Sequence, residues 1–173
     1  MSQVIAVVSG KGGTGKTSFT ALTGMALSRL GKKVLLLDSL GKRVNWLAEV
    51  CDELQLKRVQ CVHARAEEFA AQHREAYDLA VSRAVAQLNM LAELCLPLVR
   101  VGGQFAAMKS VDTEDEIDAA KSAIKALGGR IVRVADYTIP TSDVVHRLVI
   151  VEKVSPTPRA YPRAFARIKK SPL

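Results

Sequence analysis

Apolar runs alternate with segments of helical period along almost the whole chain. A sequence written that way folds as repeated βαβ units around a mainly parallel sheet. VIAVVS (Val4 to Ser9), KVLLLD (Lys33 to Asp38), RVQCVH (Arg58 to His63), DLAVSR (Asp78 to Arg83) and QFAAMK (Gln104 to Lys109) read as strands, with helices in the gaps. The first helix should run to about Leu30, where Gly31 stops it. NWLAEVCDELQL gives a second, with Trp46, Leu47, Val50 and Leu54 as its core stripe. LNMLAELCLPLV gives another that ends near Pro97. DTEDEIDAAKSAIKALGG opens with acids and closes on Gly128 and Gly129, the polarity a helix dipole favours. RIVRVADYTI and RLVIVEKV are then separated only by a short polar connection around Pro140 to His146, too short for a crossover helix, so they should pair antiparallel. The expected fold class is α/β: a doubly wound, mainly parallel sheet with an antiparallel last strand.

At 173 residues and 49% hydrophobic content, the chain has material for one core. No run approaches the roughly eighteen apolar residues of a membrane span, and the N-terminus turns glycine-rich where a signal peptide stays apolar, so a cytoplasmic protein with no membrane partner is expected. Cys51, Cys61 and Cys95 lack paired spacings and read as reduced thiols. The net charge of +8 points to a polyanionic partner. Residues 1–155 read as a single α/β domain, and 156–173 as a basic C-terminal tail. That tail, within SPTPRAYPRAFARIKKSPL, shows no core pattern: it is either a disordered solubilising end or a phosphate-binding arm. Its cations Arg159, Arg163, Arg167, Lys169 and Lys170 alternate with Tyr161 and Phe165, a mixture suited to RNA. Lys109, placed after the fifth strand, could touch RNA phosphate or be an ordinary surface lysine.

SGKGGTGKTS, Ser9 to Ser18, fits the phosphate-loop pattern G-x-x-x-x-G-K-[ST] between an apolar strand and a helix. Backbone amides of Gly12, Gly13, Thr14 and Gly15 would surround phosphates, Lys16 would reach the outer ones, and Thr17 would hold magnesium. With the additional Lys11, residues 1–38 resemble the MinD/ParA family of deviant Walker A ATPases, in which that lysine contacts phosphates across a dimer. The resemblance implies ATP with magnesium as ligand. It stops at Asp38: the second acid of the family's D-x-D switch falls at Leu40, and Ser82 replaces the later magnesium-binding aspartate. Without those carboxylates hydrolysis should be poor.

From about Leu37 to Leu173 the chain resembles another family, the 16S ribosomal RNA guanine-N7 methyltransferases also called glucose-inhibited division protein B. LDSLGKRVNWLAEV, VHARAEEF, YDLAVSRAVAQLNMLAELCLPLV, GGQFAAMKS, HRLVIVEKV and TPRAYPRAFARIKKSPL carry the match. It implies a class I methyltransferase fold, S-adenosylmethionine as methyl donor, and 16S ribosomal RNA or the small ribosomal subunit as partner; no oligomeric state follows from it. By position, Asp38 should hydrogen-bond the donor's ribose, Ala66 and Glu67 should line the adenine pocket, and Arg83 matches a donor-binding arginine. Read without the resemblance, Asp38 could cap the next helix, Glu67 could be a solvated first-turn acid, and Arg83 could pair with a surface carboxylate. His146 and Arg147 read as connection residues.

The ATPase-like βαβ unit (1–38) stands where this second family has its own first strand and glycine loop, with 39–155 as the methyltransferase-like remainder. A sulfonium about 5 Å from a loop lysine is repelled by roughly 3 kcal/mol at an effective dielectric near 20, so donor binding should be weak. Three functions follow: an RNA methyltransferase, a nucleotide-binding ATPase, or a hybrid that only binds RNA.

Overall fold

A computed structural model describes residues 4–8, 16–83, 86–139 and 143–173. Strand β1 (Val4–Val8), helix α1 (Lys16–Arg29), β2 (Lys33–Asp38), α2 (Gly41–Glu53), β3 (Val59–His63), α3 (Ala66–Gln72) and β4 (Tyr77–Arg83) make the first half. Helix α4 (Leu88–Cys95), a 3₁₀ turn at Leu96–Leu98, β5 (Val99–Ser110), α5 (Glu114–Ala126), β6 (Gly129–Thr138), β7 (Val145–Lys153) and α6 (Phe165–Lys170) follow. The seven strands lie in the order β3-β2-β1-β4-β5-β7-β6. β1 pairs parallel with β2 and β4, and β7 runs antiparallel between β5 and β6. The doubly wound sheet is therefore as the alternation of runs predicts, and the antiparallel β6–β7 pair is as the short connection between them predicts. The chain winds outward from β1 to β3 and returns to start again at β4, which puts the topological switch point between β1 and β4.

Alternation along the strands builds two cores. Ile5, Val7, Val34 and Leu36 face the side of α1 and α2, where they meet Leu47 and Cys51. Ala6, Val8, Leu35 and Leu37 face the other layer, with Phe69, Leu91, Ile117, Ile124 and Ile168. On α2 the predicted stripe is displaced: Trp46 and Leu54 are 42% exposed, while Val44, Leu47 and Cys51 are buried. The helix starts at Gly41, four residues before the expected Asn45, because the Asp38 carboxylate takes the Leu40 N–H and fixes the turn there.

Gly31 ends α1 at φ +77 as expected, donating its N–H to the Ser28 carbonyl while Lys32 donates to that of Leu27. Gly128 closes α5 in the same way at φ +83, and a Cβ there would lie 2.2 Å from the Ser155 carbonyl oxygen. Gly128→Ala is accordingly expected to cost at least about 2 kcal/mol, the left-handed conformation alone costing about 1–2. Urea unfolding of the variant checks it.

The acidic start of α5 does more than sit in solvent. Glu116 accepts from the Leu88 N–H and from Lys109, and Glu114 and Asp136 both hold Arg147. Arg147 and His146 thus belong to β7, and Lys109 lies inside β5, which runs to Ser110. The thiols are free, as expected of reduced cysteines, with Cys51 and Cys61 sulfurs 4.0 Å apart.

The C-terminal residues correct the expectation of a segment without core pattern. Arg74 donates to the carbonyls of Thr157 and Tyr161 at 2.6 Å each. Ile168 of α6 is fully buried, and Arg163 forms a two-pronged pair with Glu93, itself 0% exposed. Proline-rich spacing hides this from periodicity, because a six-residue helix offers too few turns to show a stripe.

Candidate functional site

A cavity of about 640 Å³ opens at the carboxyl ends of the first strands. Val8 and Leu37 come from the ends of β1 and β2, Ala64 and Arg65 from the link between β3 and α3, Ala66 and Glu67 from the first turn of α3, and Met90 and Leu91 from α4. Open α/β sheets bind ligands at this edge because the loops there fan apart beside the switch point. The size falls within the usual range for small-molecule sites. The lining is largely apolar, with Ser39, Arg65, Glu67 and Lys169 as its polar members. A smaller pocket of about 320 Å³, lined by Lys33, Lys57 and Arg58, lies at the opposite strand ends, where no such fan exists.

Among the residues singled out by the sequence, Ala66 and Glu67 are in the cavity wall. Glu67 is nine-tenths buried in the first turn of α3 and lies 3.7 Å from Arg65, so it is not a solvated first-turn acid. Asp38 stands at the end of β2 but is only 1% exposed. One oxygen accepts the Leu40 N–H at 2.8 Å and the other faces Arg43 at 3.4 Å. Its neighbours Leu37 and Ser39 line the cavity; its own carboxylate shapes the loop behind it. The Asp38 carbonyl also accepts the Ala64 N–H, so this turn sets the position of both loops.

Arg83 ends β4 in register with Met108, on the face it shares with Val81, and it is not part of the cavity lining. Sequence spacing could place it at the correct strand end but not on one face or the other. Lys109 is 9% exposed and donates to the Ala86 carbonyl and to Glu116, which corrects its reading as a residue free to meet RNA phosphate. Arg163 is committed to Glu93. Arg159, Arg167, Lys169 and Lys170 remain exposed.

The phosphate-loop residues Lys11, Gly12, Gly13, Thr14 and Gly15 lie outside the described residues. Lys16 and Thr17 open α1, and their side chains are likewise outside the description. Among the described residues no group of three or more His, Cys, Asp or Glu could hold a metal ion, and no helix is long and apolar enough to cross a membrane. Cys95, wholly buried at the end of α4, has its thiol pushed up to about 12 by burial, against the Ser82 hydroxyl, so it stays protonated and is no nucleophile at neutral pH.

The sheet order and the position of the cavity define a fold shared with class I methyltransferases. A 16S rRNA (adenine(1408)-N(1))-methyltransferase from Catenulisporales acidiphilia superposes with a TM-score of 0.70 at 11% identity, over 89% of this chain and 86% of that one. M. jannaschii TYW2 in complex with AdoMet superposes with a TM-score of 0.65 at 14% identity, over 88% and 70%. Residues 23–145 match the rRNA small subunit methyltransferase G family, and the chain belongs to it. Ribosomal RNA small subunit methyltransferase G of Clostridium botulinum (strain ATCC 19397 / Type A) is 51% identical over 143 residues, 82% of this chain and 60% of the relative. The chain thus spans about 60% of the length of the curated relatives it matches. Residues 3–40 also match the anion-transporting ATPase family, over the stretch that carries the phosphate-loop pattern.

Proposed function

We propose that this chain binds S-adenosylmethionine in the cavity at the strand ends and serves methyl transfer to N7 of a guanine in 16S ribosomal RNA. The observation that supports it most is the placing of Ala66 and Glu67, at the entry to α3, in the wall of a cavity at the switch-point edge. Bound there, the donor supplies an electrophilic methyl on a sulfonium; the guanine N7 lone pair forms the new bond, the carbon–sulfur bond breaks, and the sulfur keeps that pair as a thioether. No proton has to leave N7, so the protein's task is to position the two partners. Ala64 and Ala66 leave room for a flat ring. Glu67 is placed to accept hydrogen bonds from an amine or from hydroxyl groups. Asp38 acts one layer back, holding Leu40 and Arg43 so that Ser39 and Ala64 keep their places.

The acceptor is a polyanion, which fits the net charge of +8. Arg159, Arg167, Lys169 and Lys170 are the C-terminal cations left to meet it. Lys169 also lines the cavity, which brings the RNA-facing charge and the donor site to one helix.

Calorimetry with S-adenosylhomocysteine and, separately, magnesium ATP tests the reading. Saturable binding of S-adenosylhomocysteine is expected, weakened about tenfold or more in Glu67→Ala, the usual loss when a charged hydrogen-bond acceptor is removed. Binding of magnesium ATP with none of S-adenosylhomocysteine would overturn it in favour of the phosphate loop.

A further inference from the structure

The cavity has a wall that neither the strand ends nor the α3 segment supplies. Phe165, Ala166 and Lys169 of α6 line it together with Ala66 and Leu91. Among the described lining residues Phe165 is the one aromatic ring. It is half-buried against the main core, and the Arg65 guanidinium lies 5.7 Å from its centroid, a cation–π contact that tethers the ring to the start of α3. The segment carrying it is fastened at several points: Arg74 on the Thr157 and Tyr161 carbonyls, Glu93 on Arg163, Ile168 in the core, and the Asn89 amide on the Leu173 carbonyl at 2.8 Å. A ring held by that many anchors is a fixed surface.

We infer that Phe165 is the face on which the purine of the bound ligand lies, so that the C-terminal helix selects adenosine-bearing ligands. The inference rests on the reading that the cavity holds S-adenosylmethionine. The remaining apolar walls are aliphatic or small, whereas an aromatic ring offers a purine a stacking partner. The same contact links ligand to chain end: occupancy holds α6 down and shields the trypsin sites at Arg167, Lys169 and Lys170.

Calorimetry of the full chain and of Phe165→Ala, Phe165→Leu and Phe165→Tyr, with S-adenosylhomocysteine and with 5′-methylthioadenosine, tests it. The second ligand keeps the adenosine and lacks the amino-acid carboxylate. Phe165→Ala should weaken both ligands by about tenfold or more, and Phe165→Tyr should stay within about threefold of the parent. Phe165→Leu preserves apolar packing and removes the π face; it should keep the parent's thermal midpoint and still lose most of the affinity. S-adenosylhomocysteine should also slow tryptic cleavage of the C-terminus in the parent and not in Phe165→Leu. Unchanged affinity in Phe165→Leu, or a loss confined to S-adenosylhomocysteine, would overturn the inference while leaving the donor reading standing. A parent chain that binds neither ligand would overturn both.

Discussion

Replacing Arg163 with alanine is expected to lower the unfolding free energy by about 3 kcal/mol, the low end of the cost of breaking a buried ion pair. Glu93 has no exposed surface, and its two oxygens receive Nε of Arg163 at 2.8 Å and Nη2 at 2.6 Å. After truncation the carboxylate keeps the Arg163 backbone N–H at 2.9 Å and loses its counter-charge inside the fold. At the urea sensitivity of a domain this size, the midpoint should fall by about 1 M or more. Arg163→Lys keeps the charge but not the fork, and should fall between the two. Adding Glu93→Leu to Arg163→Ala removes the stranded charge and should recover much of the loss, which a double-mutant cycle reads directly. Arg163 does not line the cavity, yet its loss loosens the segment that carries Phe165, so ligand affinity should fall with stability. A change in unfolding free energy below about 0.5 kcal/mol would mean that the pair does not anchor the C-terminus.

That prediction concerns residues whose role the sequence hides. The parallel strands were legible because their signal is local: five apolar runs, each followed by a helical period, permit few arrangements of the sheet. The β6–β7 pairing was legible from the length of the connection. Boundaries were less so. The start of α2 depends on the Asp38 carboxylate reaching the Leu40 N–H, a bond between residues that carry no helical period themselves. Its core stripe also depends on which side the sheet lies, and Cys51 replaces the larger Trp46 and Leu54 in the buried set.

At the site the same division holds. Strand ends are readable, so Asp38, Ala66, Glu67 and Arg83 fall near the carboxyl edge of the sheet, as their spacing implies. Whether a side chain enters the cavity is set by strand parity and by partners distant in sequence. Arg83 shares the face of Val81, and Asp38 is turned into its own loop. Lys109 and Arg163 look like RNA contacts in a string of letters because their acids, Glu116 and Glu93, lie 7 and 70 residues away. The α6 wall was not foreseeable at all: Phe165 reaches the cavity because Arg74, after α3, and Asn89 and Glu93, both on α4, hold its segment there.

Glu75→Gln is expected to destabilise the protein by about 2–3 kcal/mol near neutral pH and to flatten its acid sensitivity. Glu75 accepts the Thr157 N–H at 2.7 Å and the Lys153 ammonium at 3.1 Å. Lys153 is 0% exposed and otherwise donates to the carbonyls of Leu96 and Val99, so Glu75 is its counter-charge. Burial acts to raise the Glu75 carboxyl, but the Thr157 N–H and Lys153, with Arg74 nearby, outweigh it and hold it below the usual 4.5. The folded state therefore binds this proton less tightly than the unfolded chain. Its stabilising contribution is complete above about pH 4.5 and is lost as pH falls through the lower folded value. Lys153 acts at the other end: burial lowers it despite Glu75, so the unfolded chain holds that proton more tightly and stability rises with pH between the folded value and about 10.5. Removing the carboxylate charge lowers Lys153 further, so the alkaline rise should begin at lower pH in Glu75→Gln. Glu114 and Asp136, lowered by Arg147, add to acid sensitivity in both proteins, so the difference between the two urea-midpoint profiles isolates Glu75. Parallel profiles across pH 3–10 would show that the carboxylate and the buried lysine are not coupled; convergence of the two proteins in acid, with separation above about pH 5, is the expected result.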